Sequence, residues 1–181
     1  TNPVEVSISI APRLDAAAEP RFLGQVVASD GYTDLAVVKI TKTAGGRLVD
    51  ASDLKDLVAV PLGDSDKVRS GESVRVLGYP TVAASSAATL TTGVLSGTVT
   101  DDRLHTNRAL LNVDASLAPG NSGGVAVDAK GRLVGVPSAV ARDTSSTTIV
   151  AQIGRLRPVN LAKPLVDAAR KGEAYADPSV L

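Results

Sequence analysis

Short runs in which apolar and polar residues alternate dominate the pattern of this chain. Residues 4–10 read Val-Glu-Val-Ser-Ile-Ser-Ile, and this period of two predicts a half-buried strand. Similar patterns predict strands over residues 22–29, 35–40 and 73–77, separated by segments rich in Gly, Asp and Pro. Many short strands joined in this way indicate an all-β fold, either barrels or a sandwich.

The second half of the chain continues the strand pattern and ends in a helix. Strands are predicted over residues 92–100, 109–113 and 147–153, with a hairpin whose turn occupies residues 128–131. One helix is predicted over residues 160–170 and stops at Gly172, and Pro164 places its regular part from about Lys163. The small polar residues 81–88 form a linker, so the expected divisions are 1–84, 85–159 and 160–181.

Composition excludes several classes of protein. Nineteen basic and nineteen acidic residues cancel, which argues against a nucleic-acid partner. No apolar run reaches the length of about 18 residues that a membrane-spanning helix needs. The chain has no cysteine and one histidine, so disulfides and thiol catalysis are excluded and a metal site is not expected. No organic cofactor is implied either.

The sequence Gly-Asn-Ser-Gly-Gly at residues 120–124 is the strongest candidate for chemistry. Flanking glycines allow a sharp turn that presents the Ser122 hydroxyl beside backbone N–H groups, an arrangement suited to attack on a carbonyl. The segment also satisfies G-x-S-x-G, but a strand pattern follows it instead of the helix that a hydrolase elbow requires. Taken alone, the motif is equally compatible with an ordinary loop.

Four segments in order resemble trypsin-fold proteases, and most closely the bacterial high-temperature-requirement A (HtrA) group. The segments are residues 30–40 (Asp-Gly-Tyr-Thr-Asp-Leu-Ala-Val-Val-Lys-Ile), 62–74, 91–97 and 114–136, which includes the serine motif. The resemblance covers about residues 20–163. It implies an all-β, trypsin-like double β-barrel with a C-terminal helix, the first barrel being incomplete at its N-terminus.

The resemblance also implies catalytic roles. Ser122 matches the nucleophile, and Asp34 matches the aspartate that orients a histidine. The backbone N–H groups of Gly120 and Ser122 match the oxyanion hole. Without the resemblance, the preferred interpretation of Asp34 would be a turn or capping carboxylate, the role expected for Asp30.

The specificity pocket follows from the same correspondence. Ser116 lies at its base, where the absence of a carboxylate argues against selection for Arg or Lys. Ser138, Ala139 and Val140 match the strand that pairs with the substrate backbone, and Thr148 is assigned to the opposite wall. Because Val140 would narrow the entrance, the expected P1 residue is small or medium and aliphatic.

The family histidine is the part of the pattern that the chain does not match. It would fall just upstream of Thr1, and His105 lies instead in a surface loop of the second barrel, so we do not expect it to act as the base. Without a base, only about 10³–10⁴-fold acceleration over water would remain. Truncation, nicking and degeneracy each account for the absence, and the first two are favoured because Asp34 and Ser122 persist together.

The resulting hypothesis is a serine endopeptidase domain that acts on protein or peptide substrates and is inactive without the histidine. The alternative is a non-catalytic peptide-binding pseudoprotease that keeps the cleft and binds peptides along residues 138–140. An esterase that uses the same serine is a third interpretation. The family suggests the bacterial envelope, the periplasm or secretion, and the oligomeric state is left open.

Overall fold

The computed structural model describes residues 4–80, 87–141 and 153–175, which fall into two units. The first unit comprises Thr1–Ala59 and Ala162–Leu181, and the second comprises Val60–Leu161. The first unit contains a β-sheet and the second a β-barrel, and the described residues include one α-helix, near the C-terminus. The all-β prediction with a C-terminal helix is therefore confirmed.

The first unit contains a three-stranded antiparallel sheet in the order β1-β2-β3, formed by Glu5–Ile10, Glu19–Asp30 and Leu35–Thr43. In β1 the polar residues are exposed and the apolar residues are half-buried, as the alternation predicted. Phe22 lies opposite Ile8 and is only 1% exposed, which makes it the anchor of this sheet.

The second unit is a closed barrel whose strand order is β4-β5-β6-β9-β8-β7. Its strands are Ser73–Gly78, Thr89–Asp101, Thr106–Val113, Val125–Val127, Leu133–Ala141 and Ile153–Pro158 for β4 to β9 respectively. Its interior is a continuous aliphatic cluster of Val68, Val74, Val76, Leu95, Leu111, Val113, Ala115, Leu117, Ala126, Val134 and Leu156. Because a barrel has no free edges, every strand here is paired on both sides.

Strand β4 belongs to this barrel, whereas the sequence pattern had assigned residues 73–77 to the N-terminal half. It pairs with β5 on one side and with β7 on the other, and Val74 and Val76 are each 1% exposed inside the barrel. The two units divide between Ala59 and Val60. Residues 81–86 of the predicted linker lie outside the described residues.

The last described strand, β9, runs from Ile153 to Pro158. Apart from Ile153, the strand predicted over residues 147–153 lies outside the described residues, which omit 142–152. In β9 the buried Gly154, Leu156 and Pro158 alternate with half-buried arginines. Two of the three inward-facing residues, Gly154 and Pro158, are types that are rare in strands, so the alternation does not indicate a strand in the sequence.

The helix, Val159–Lys171, matches the predicted 160–170 to within one residue at each end, and it is already helical before Lys163, where Pro164 suggests that the regular part begins. Its first turn is held by Asn160, whose backbone N–H donates to Ser65 Oγ at 3.2 Å and whose Nδ2 donates to Asp64 Oδ1 at 2.9 Å. The first of these bonds satisfies a backbone N–H of the first helical turn, which has no acceptor within the helix. The helix ends before Gly172, which adopts a φ of 70°. No helix within the described ranges is long and apolar enough to cross a membrane.

Asp64 generates a prediction about pH. Hydrogen bonds from Asn160 and Lys67 lower the pKa of Asp64 from 3.8 to about 2. Since the folded-state pKa is depressed, the stabilisation is fully present above pH 3.8 and is lost as the pH falls through about 2. We expect the difference in unfolding free energy between wild type and Asp64→Asn to be constant above that range and to shrink below it.

Denaturant titrations at several pH values measure this difference, and an NMR titration of the Asp64 carboxyl gives its pKa directly. Asn160→Ala is the matched control, because loss of the amide donor should move the pKa of Asp64 back toward its ordinary value. An equal difference at pH 5 and at pH 2 would contradict the assignment.

Candidate functional site

Two tight turns in succession, residues 118–121 and 121–124, carry Ser122. In each turn the N–H of the fourth residue donates to the carbonyl of the first at 3.0 Å. The third residues, Gly120 and Gly123, have φ values of 98° and 80°. This is the pattern of type II turns, whose third position strongly favours glycine. The spacing of the glycines around the serine therefore has a local backbone cause.

The Ser122 turn is attached to β8. The exposed Ser122 hydroxyl donates to the carbonyl oxygen of Ser138 at 3.1 Å, and the N–H of Gly123 donates to the carbonyl of Pro137 at 2.9 Å. The structure thus brings together two residues that the sequence predicts separately, Ser122 as a candidate nucleophile and Ser138 as the first residue of a candidate substrate strand. The hydroxyl must turn away from Ser138 before it could attack a substrate.

The predicted oxyanion donors lie in an exposed stretch of backbone. The N–H groups of Gly120 and Ser122 donate to no acceptor within the described ranges, and both residues are exposed. A cavity of about 290 Å³ adjoins them, lined by residues 77–79, Gly120 and residues 122–125. Two free N–H donors beside a hydroxyl can bind a developing negative charge.

Asn121 connects the serine turn to the end of β4. It is 4% exposed, and its Oδ1 is enclosed without a hydrogen-bond partner. A Cβ placed on Gly78 would lie only 2.6 Å from that oxygen, and one on Gly124 would overlap the carbonyl of Leu77. The backbone of β4 therefore approaches the serine turn so closely that neither glycine position has space for a side chain.

The loop before the serine is fixed by two residues that the sequence analysis does not identify, Leu117 within the loop and Gly154 on β9. Ser116 is exposed, whereas the next residue, Leu117, is 5% exposed and belongs to the barrel core. A Cβ on Gly154 would lie 2.6 Å from Leu117 Cδ1, so β9 packs directly on this loop. The alternation through residues 113–117 was the available signal for Leu117. The sequence around Gly154 carries no such signal, because its role depends on contact with Leu117, which is far away in the chain.

Strand β8 carries the remaining predicted substrate residues. The backbone of Ala139 is in register with Arg155, and that of Val140 is in register with Gly154. Strand β9 is therefore the partner of the predicted substrate strand. Thr148, the residue assigned to the opposite wall, lies outside the described residues.

Asp34 lies in the first unit, at the end of the turn between β2 and β3. It is exposed and adopts a left-handed φ of 57°, which non-glycine residues rarely do. The preceding Asp30 is 3% exposed and accepts N–H bonds from Tyr32 at 2.8 Å and Thr33 at 3.2 Å. Asp30 has the capping role expected of it and fixes the turn that presents Asp34.

His105, the single histidine of the sequence, ends the short 3₁₀ helix Asp102–Leu104. It is exposed, has φ 48° and ψ 38°, and its N–H donates to the carbonyl of Asp102. Its backbone role is thus to close a turn before β6. The described residues contain no group of three His, Cys, Asp or Glu that could hold a metal ion.

The family model described as the trypsin-like peptidase domain matches residues 10–136 of this chain. Among curated relatives, the serine protease Do-like HtrB of Bacillus subtilis (strain 168) is 30% identical over 148 residues, covering 79% of this chain and 29% of the relative. The serine protease HtrA-like protein of Staphylococcus aureus (strain USA300) is 32% identical over 168 residues, covering 87% of this chain and 20% of the relative. The chain therefore spans less than a third of these relatives.

A solved structure, the HtrA-type protease AlgW with a decapeptide, is similar over 93% of this chain and 45% of its own, with a TM-score of 0.65 and 32% identity. AlgW has also been solved with a tripeptide, and that structure gives a TM-score of 0.63 over 92% of this chain. Similarity in sequence and in fold thus extends over both units.

The contact between β4 and Asn121 generates a second prediction. We expect Gly78→Ala to displace the Asn121 side chain, to lower the unfolding free energy by about 1–3 kcal/mol and to shift the amide resonances of residues 120–124. Gly97→Ala is the matched control, because it lies on β5 and a Cβ there would meet nothing within 4 Å. Denaturant unfolding and amide NMR spectra measure both effects, and equal behaviour of the two variants would contradict the close approach.

Proposed function

Because the chain belongs to the trypsin-like peptidase family, we propose that it is an HtrA-like serine endopeptidase domain with Ser122 as its nucleophile. The observation that carries the proposal is the exposed Ser122 hydroxyl on glycine turns, beside the free N–H groups of Gly120 and Ser122. The serine protease names of the relatives support the same reaction class.

The proposed reaction proceeds through an acyl-enzyme. Ser122 Oγ attacks the peptide carbonyl while a histidine takes its proton, and the N–H groups of Gly120 and Ser122 bind the oxyanion. The histidine then gives the proton to the leaving amine, and water hydrolyses the acyl-enzyme. Asp34 orients the histidine and stabilises its protonated form.

The base in this proposal is a histidine other than His105. The backbone of His105 closes a left-handed turn, and the 181 residues contain no second histidine. On their own they hold the nucleophile and the proposed orienting carboxylate without the base, so we expect very slow turnover from them.

Peptides and proteins are the proposed substrates, supported by the peptides named in the AlgW structures. Ser116 supplies no charge at the proposed base of the pocket, and Val140 and Thr148 are its proposed walls. This combination favours a small or medium aliphatic P1 residue. A location in the bacterial envelope or outside the cell is proposed from the family resemblance alone.

One contact favours a second candidate function, a peptide-binding module without catalysis. The Ser122 hydroxyl donates to the Ser138 carbonyl, which satisfies the serine within the protein itself. If that bond persists when peptide is bound, strand β8 can still bind the peptide, but the Ser122 hydroxyl is not available to attack it.

Imidazole distinguishes the two functions because it can replace a missing histidine side chain. We expect a fluorophosphonate to modify the 181-residue chain slowly, and added imidazole to raise the rate severalfold by accepting the Ser122 proton. Intact mass spectrometry and peptide mapping would measure the adduct. Ser122→Ala should abolish it, Asp34→Asn should weaken the response to imidazole, and His105→Gln should change nothing.

An adduct that depends on His105 would overturn the assignment of the base. A folded chain that binds peptide but is never modified, with or without imidazole, would favour the binding module over the protease.

The P1 assignment gives a separate prediction. In the presence of imidazole, peptidyl phosphonates with Ala or Val at P1 should modify Ser122 faster than those with Phe, Lys or Glu. Val140→Gly should shift the preference toward Phe, since removal of the branched side chain widens the proposed entrance. Val127→Gly, on β7, is the control for general loosening of the barrel. An unchanged preference in Val140→Gly would contradict the assignment.

A further inference from the structure

The outer face of strands β6, β9 and β8 carries two positive charges that have no partner in the described structure. Arg155 and Arg157 alternate with the buried Gly154, Leu156 and Pro158, so both arginines lie on the outside of the barrel. Each is half-buried, and neither makes a hydrogen bond or an ion pair with any described residue. Guanidinium groups held in this way are usually paired.

The exposure of individual atoms indicates where a ligand would bind. The Nε atoms of Arg155 and Arg157 are enclosed without an acceptor, while the terminal nitrogens of both groups remain accessible. Asn112 lies opposite Arg155 on β6, and its Oδ1 is likewise enclosed without a partner. The amide nitrogen of Asn112 is not among the atoms that are enclosed without a partner. Three neighbouring side chains therefore carry donors on this face.

The strands around these arginines contain nothing that could neutralise them. Strands β6, β8 and β9 have no aspartate or glutamate. The third arginine on this part of the barrel, Arg108, shows what a structural arginine does here: its Nη2 donates to the carbonyls of Ser65 at 2.8 Å and Val68 at 2.7 Å. Arg108 also lies 3.8 Å from Asp66. Arg155 and Arg157 have no comparable acceptors.

We propose that this face, defined by Asn112, Arg155 and Arg157, binds an acidic segment of a protein in extended conformation. Alternate residues of a strand are roughly 7 Å apart, so carboxylates at positions i and i+2 of an extended segment match the spacing of the two arginines. Each carboxylate supplies the acceptor that a guanidinium lacks. The binding face is separate from peptide hydrolysis, and its test does not depend on catalysis.

A peptide segment fits this face better than a nucleic acid. Strands β6, β8 and β9 contain no aromatic residue on which a base could stack, and the chain carries no net charge. Two charges at a fixed spacing, with an amide beside them, suit a pair of side-chain carboxylates.

Fluorescence anisotropy with two labelled peptides of equal charge tests the proposal. One peptide has Asp at positions i and i+2, and the other has Asp at i and i+1, which point to opposite sides when extended. We expect the purified chain to bind the first roughly three- to tenfold more tightly at low salt, with a preference that weakens as salt is added. Arg155→Gln and Arg157→Gln should each reduce that preference, and the double variant should abolish it.

Arg75→Gln is the matched control, because Arg75 is an exposed arginine on β4 of the same barrel and should not affect the preference. Circular dichroism would verify that every variant is folded. Equal binding of the two peptides, an equal loss in Arg75→Gln, or no binding at all would overturn the proposal. Tighter binding of a single-stranded oligonucleotide than of the acidic peptide would also overturn it and assign the face to nucleic acid.

Discussion

The candidate site depends on one close approach, that of the end of β4 to the Ser122 turn. Gly78 meets Asn121 and Gly124 meets the carbonyl of Leu77 at separations that leave no space for a Cβ. This contact holds the backbone of residues 120–124 in two glycine turns, and those turns leave the serine hydroxyl and two N–H groups facing outward. Buried packing thus determines the geometry of an exposed loop.

The closed barrel supplies the rigidity that such a loop needs. Its aliphatic core is formed by all six strands, and Leu117 extends that core into the segment leading to the serine. The carbonyls of Pro137 and Ser138 on strand β8 accept hydrogen bonds from the Ser122 turn. Strand β9, which pairs with β8, carries Arg155 and Arg157 on its outer face, and neither has a partner among the described residues. The candidate nucleophile therefore contacts the backbone of β8, whereas Arg155 and Arg157 lie on the outer face of the neighbouring strand β9.

Local patterns predicted a large part of this arrangement. The all-β class, the terminal helix with its stop at Gly172 and the glycine turn at Ser122 each follow from residues close together in the chain. The capping role of Asp30 also follows from its position two and three residues before the amides that it accepts. The assignment of β4 to the first half was not correct, because its partners are Thr89–Asp101 and Val125–Val127, which a local pattern cannot reveal.

The sequence by itself determined which backbone could bend and which residues could be buried, since glycine spacing and hydrophobic alternation act over a few residues. Only the tertiary structure decided that β4 closes the second barrel, that β9 packs on Leu117 and that Ser138 accepts the Ser122 hydroxyl. Each of these depends on residues far apart in the chain. The favourable free energy of these contacts arises from excluding water between surfaces that meet only when the barrel closes. No short stretch of sequence can therefore predict them.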